Sequence, residues 1–193
     1  MVLFDTGSDR TYVSQDLVDR VNPEWVESKI LSCASFGATK QTKAEKREVY
    51  NLLLQGEDGA ISVNATCVPN ICAPLSQPSV PTHLLKKIPT SNLVSVQAGQ
   101  NLKVDILIGM DVYWKLLSSD VCRLTSELVA HRSRLGWMLS GKLPTSGSEP
   151  QPQSGGEVVH QLFCKGIEDR LKPNKASAQK RLDVLDRRRR RRT

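Results

Sequence analysis

The chain has 193 residues, room for one ordinary domain and a tail, and only 5% of them are aromatic. With 24% charged residues it is globular in composition rather than fibrous, and no apolar run approaches the roughly 20 residues that a membrane-spanning helix needs. The net charge of +7 is uneven: residues 1–141 set 14 Lys/Arg against 14 Asp/Glu, residues 142–193 set 13 against 6, and the surplus therefore belongs to the tail.

In chain order, Met1 to Phe4 is the end of a strand, and Asp5 to Ser8 is a turn. Thr11-Tyr12-Val13 is β-prone. Ser14 caps a short helix with Asp16 in its first turn and Leu17, Val18 and Val21 apolar, and Pro23 ends it. Strands are expected over Lys29–Ser35 and Glu48–Gln55, with a glycine-containing hairpin tip at Ser35–Thr39. Gly56-Glu57-Asp58-Gly59 turns the second strand into Ala60–Val68. That arm alternates, with Ile61, Val63, Ala65 and Cys67 on one face and Ser62, Asn64 and Thr66 on the other. Five prolines make residues 69–103 mostly loop with short strands.

Val104 to Gly109 follows, a strand whose three consecutive aliphatics ask for cover on both faces. A short helix is expected over Asp111–Leu117 and a β-prone block over Arg134–Gly141. Lys142 to Glu157 has linker composition. His160 to Lys172 carries Leu162, Phe163, Ile167 and Leu171 at helical spacing, weakened by Gly166. Six arginines, Arg187 to Arg192, close the chain; such a run repels itself and is expected to be disordered alone.

The five cysteines (Cys33, Cys67, Cys72, Cys122 and Cys164) are odd in number and irregular in spacing. Met1 to Phe4 is too short for an export signal, so reduced thiols in the cytoplasm are expected, with the nucleus as the alternative offered by the basic tail. Cys67, Cys72 and His83 fit no common zinc spacing, and no metal or cofactor is expected. His83, His131 and His160 are lone and unpatterned, and no serine or cysteine has a partnered base.

The chemically loaded segment is Val2-Leu3-Phe4-Asp5-Thr6-Gly7-Ser8-Asp9. Peptide hydrolysis without a metal or a covalent intermediate needs one group to activate water and another to protonate the scissile carbonyl. Two carboxylates about 3 Å apart can do both, because they cannot both ionise. An apolar strand that runs into Asp-Thr-Gly can hold such a carboxylate on a cleft floor. Gly7 lets the backbone bring N–H groups back to Asp5, and Thr6 offers a hydroxyl to a partner loop. Aspartic protease folds pair this loop with a later apolar-apolar-Gly strand behind it, and Ile106-Leu107-Ile108-Gly109 has that form about 100 residues on.

With these blocks in view, residues 2–143 resemble the retropepsin-like aspartic peptidase domain of Pao/BEL-type retrotransposon polyproteins. The resemblance runs through Val2 to Val13, the Leu17–Val21 helix, His83-Leu84-Leu85, Val104 to Trp114, and Leu135-Gly136-Trp137-Met138-Leu139-Ser140-Gly141. It implies an all-β fold, a single barrel-like lobe with a closed sheet and one or two short helices, over residues 1–143. Residues 144–193 would form the linker and basic tail. It makes Asp5 the catalytic aspartate, with Thr6 and Gly7 completing its loop, and places a substrate-covering flap at Phe36, Gly37 and Ala38. Asp105 and Asp111 would be turn or cap groups. Family members carry strand residues before the catalytic loop, so the chain is expected to be truncated at its N-terminus.

The implied function is aspartic endopeptidase activity on a peptide or polyprotein, by a homodimer that pairs one Asp5 from each copy. The alternative is an inactive remnant that serves as a dimerisation or peptide-binding module. Arg187–Arg192 could add nucleic-acid binding by counterion release.

Overall fold

The structure, a computed structural model, describes residues 1–32, 43–76, 79–89, 101–143 and 158–163. It is mostly β. The strands are β1 (Val2–Phe4), β2 (Tyr12–Ser14), β3 (Glu24–Leu31), β4 (Glu45–Gly56), β5 (Gly59–Val68), β6 (Leu75–Ser76), β7 (Asn101–Leu102), β8 (Ile106–Ile108), β9 (Leu117–Arg123), β10 (Leu128–Ser133), β11 (Gly136–Lys142) and β12 (Val158–Phe163). Three short helices, α1 (Gln15–Val21), α2 (Thr82–Leu85) and α3 (Met110–Leu116), complete the described elements.

Local chemistry explains several of these elements. Ser14 caps α1: its Oγ accepts from the Leu17 N–H at 3.3 Å. Asn22 ends α1 in the left-handed region with φ of 45°, and its N–H donates to the Val18 carbonyl. The β4–β5 hairpin pairs Gly56 with Gly59 and buries Ile61, Val63, Ala65 and Cys67 as the alternation requires. Thr66, expected on the open face, is buried because its N–H donates to the Thr11 carbonyl where β2 joins β5.

Ten strands form one sheet in the order β3-β4-β5-β2-β8-β1-β12-β11-β10-β9, and β6 pairs with β7 apart from it. The hydrogen-bonded order is open, ending at β3 and β9, where the resemblance implied a closed sheet. The centre of the sheet positions the site. β8 lies between the two strands that flank the Asp5 turn, parallel to β1 (Val2↔Ile106, Phe4↔Ile108) and antiparallel to β2 (Tyr12↔Leu107).

The side-chain period of two then divides the interior into two cores. Val2 and Phe4 join Val13, Leu17, Leu52, Ile106, Ile108 and Leu116 in the larger core. Met1 and Leu3 pack instead against the smaller core, with Leu84, Leu128 and Leu139. Ile106 and Ile108 are fully buried and Leu107 is half-buried.

Several boundaries differ from expectation. β3 starts at Glu24, directly after Pro23, rather than at Lys29, because α1 has ended and Glu24 already pairs with Asn51. β9 and β10 have no counterpart among the expected strands. β12 occupies the start of the segment expected as a helix over His160–Lys172, and it fills the place between β1 and β11. β12 thus lies beyond the domain boundary expected at Leu143 and joins the same sheet. The hairpin tip at residues 35–39 and the remainder of the tail lie outside the described residues.

Candidate active site

Asp5 leaves β1 at the sheet centre. Its N–H donates to the Ile108 carbonyl at 2.9 Å, so the first residue of the turn is tied to β8. Its half-buried carboxylate accepts from the Gly7 N–H, also at 2.9 Å, through Oδ1. Gly7 is not in the left-handed region. A Cβ there would stand 3.2 Å from Asp5 Oδ1, a tight contact that the carboxylate would have to ease. Thr6 and Gly7 are exposed, and the Thr6 hydroxyl has no hydrogen-bond partner among the described residues.

The rest of the turn is held from behind by the residues that follow β8. The Met110 N–H donates to the Ser8 carbonyl at 2.9 Å, and the Ser8 hydroxyl donates to the Arg10 carbonyl at 2.8 Å. Thr11 is 1% exposed. Its N–H donates to Asp111 Oδ2 at 3.2 Å, its hydroxyl to Asp111 Oδ1 at 2.7 Å, and its Oγ1 accepts from the Gly109 N–H at 3.1 Å. Gly109 allows this closeness: a side chain there would overlap the Arg10 carbonyl and stand 2.8 Å from the Arg10 nitrogen. The four consecutive residues Ile108, Gly109, Met110 and Asp111 therefore each hold the segment Asp5–Thr11.

The nearby carboxylates are committed elsewhere. Both oxygens of Asp111 are taken by Thr11. Asp105, in the buried set, pairs with the Met1 ammonium at 2.5 Å and with Arg20 at 3.3 Å. Asp9 is exposed and lies 3.7 Å from the Arg10 guanidinium. Asp5 is thus the half-buried acid of this turn, held through one oxygen by the Gly7 N–H.

A small cavity of about 50 Å³ between β2 and the β3–β5 strands is lined by Tyr12, Leu31, Arg47 and Thr66 among others, and by no residue of Asp5–Thr11. Phe36, Gly37 and Ala38, expected as a flap, and Arg187–Arg192 lie outside the described residues.

The role of Thr11 was missed in sequence, and Asp111 was expected only as a turn or cap group. It stands in the first turn of α3, whose N-cap has no side-chain cap hydrogen bond, and its carboxylate is bonded to Thr11.

Among the described residues, the cysteines and histidines form no competing centre. Cys67, Cys72 and Cys122 are free thiols. Burial pushes the Cys67 thiol up from its ordinary value, which suits a packed side chain better than a nucleophile. Burial likewise lowers the His131 pKa. Among the described residues, no three His, Cys, Asp or Glu side chains are grouped to hold a metal. No helix among them is long and apolar enough to cross a membrane. Compared with known protein families, curated proteins and solved structures, the chain matches none.

Proposed function

We propose that the chain is an aspartic endopeptidase of the retropepsin-like, retrotransposon type, in which two copies each contribute Asp5 to one site. The observation that carries this reading is the lone, half-buried Asp5 carboxylate, oriented by the Gly7 N–H on a turn strapped to a buried Ile-Leu-Ile-Gly strand. A single carboxylate cannot take a proton from water and give one to the carbonyl oxygen at the same moment. With the loop's other acids engaged or turned to solvent, a second copy is the natural source of the mate. The exposed Thr6 hydroxyl is free to bond across such an interface.

The chemistry then follows from proximity of like charges. Two Asp5 carboxylates sharing a site hold one proton between them and titrate as a pair. The ionised member takes a proton from water as it attacks the peptide carbonyl, and the protonated member gives its proton to the carbonyl oxygen. Gly7 keeps each acid aimed without adding a charge.

The experiment is cleavage of a peptide library at mildly acidic pH, with a statine-type mimic of the tetrahedral intermediate as inhibitor. Hydrolysis that the mimic blocks and Asp5→Asn abolishes is expected. Hydrolysis at the same rate by Asp5→Asn would remove this assignment. A dimer that binds peptide and leaves it intact would favour the non-catalytic module.

A further inference from the structure

We infer that Asp111 is a positioning residue for Asp5, acting through Thr11 and Gly109. The inference rests on the peptidase reading for its kinetic consequence and on geometry alone for its structural one.

The path is short and continuous. Asp111 sits in the first turn of α3, and that helix is fixed by Val112, Tyr113 and Leu116 in the larger core. The carboxylate takes both donors of one residue, the N–H and the hydroxyl of Thr11. With its proton committed to Asp111, Thr11 Oγ1 turns its lone pair to the Gly109 N–H at 3.1 Å. Gly109 directly follows Ile108, whose carbonyl accepts the Asp5 N–H, and directly precedes Met110, whose N–H holds Ser8. One carboxylate thus sets the register between the far end of the loop, at Thr11, and the strand that carries its near end, at Asp5. Slippage at Thr11 is transmitted to the Gly7 N–H that orients Asp5 Oδ1.

This differs from an ordinary helix cap. A cap would satisfy amides of its own helix. Asp111 instead bonds a residue 100 positions away in the chain, on the loop that carries the candidate catalytic acid. Asp105 supplies the internal contrast. It is a buried acid beside β8, whereas Asp111 is exposed, and the ion pairs of Asp105 go to Met1 and Arg20 rather than to the loop.

The test compares full-length wild type with Asp111→Ala, Asp111→Asn and Asp105→Asn. It reads the amide resonances of Gly7 and Gly109, the NMR titration of the Asp5 carboxyl, and kcat and KM on a cleaved peptide. Asp111→Ala is expected to move both glycine amides and the Asp5 titration. It should also lower kcat about 10- to 100-fold with KM within about twofold. Asp111→Asn keeps an acceptor oxygen but turns an NH2 toward a Thr11 donor, so it should recover part of the loss. It also carries the test if the alanine variant does not fold. Asp105→Asn should lower the melting temperature and leave Gly7 and Asp5 unmoved.

The inference is overturned if the Asp111 variants shift the melting temperature alone, with Gly7, Asp5 and kcat at wild-type values. If wild type cleaves nothing while Asp111→Ala still moves Gly7 and Asp5, the peptidase reading falls and the positioning role stands.

Discussion

The segment Asp5–Thr11 and the edge strand β3 are close in sequence, yet they are held in opposite ways. The loop donates hydrogen bonds to Ile108 and Asp111, accepts them from Gly109 and Met110, and backs onto the fully buried Ile106 and Ile108. Among the described residues β3 pairs on one side only, with β4, and it exposes Trp25, Val26 and Ile30, the last at 76%. The contrast teaches where order comes from. A loop becomes rigid when a chain-distant segment satisfies its polar groups at several points, whereas a strand with half its ladder unpaired leans on its neighbour alone.

Substitutions can break that contrast, and the largest effect should come at Gly109. Gly109→Ala drives a methyl into the Arg10 backbone, which cannot rotate aside, and should cost about 3 kcal/mol of stability in denaturant titration. A cost under about 0.5 kcal/mol would show that the loop is not packed against β8. Thr11→Val comes next. It keeps shape but removes the hydroxyl between Asp111 and Gly109, leaving the buried Gly109 N–H without its partner, for about 1–3 kcal/mol.

A smaller effect follows from pH. Burial lowers the His131 pKa below its ordinary value of about 6.5, so the folded chain resists a proton that the unfolded chain accepts. Stability is then full above about pH 6.5 and falls as pH drops toward the lowered folded value. His131→Asn should flatten that part of the stability–pH curve, and an unchanged slope would assign it elsewhere. Smallest of all is the edge. Ile30→Thr should shift stability by no more than about 0.5 kcal/mol, since the side chain meets mostly water.

What could be read in the sequence was what is local. Ser14 announces α1 because a cap needs only the three residues beyond it. Ile61 to Cys67 announces β5 because alternation is a local pattern. The Asp5-Thr6-Gly7 turn is legible for the same reason. β9 was illegible because its burial does not alternate: Ser118, Ser119 and Asp120 give no period, and the strand exists through its pairing with β10. β12 was mistaken because Leu162, Phe163 and Ile167 suit a helical face, while the open side of β1 decides the matter. The Thr11–Asp111 bond was illegible in a stronger sense, since its partners lie 100 residues apart.

The central claim is that two Asp5 residues make one site. Its most direct test mixes wild type with Asp5→Asn at fixed total protein, well above the dissociation constant of the dimer, and follows peptide cleavage. Random pairing leaves roughly one quarter of dimers with two intact aspartates at an equal mixture, so activity should fall to about one quarter of the pure wild-type value. A fall to about one half would mean that each chain works alone, and the paired-aspartate account would be contradicted.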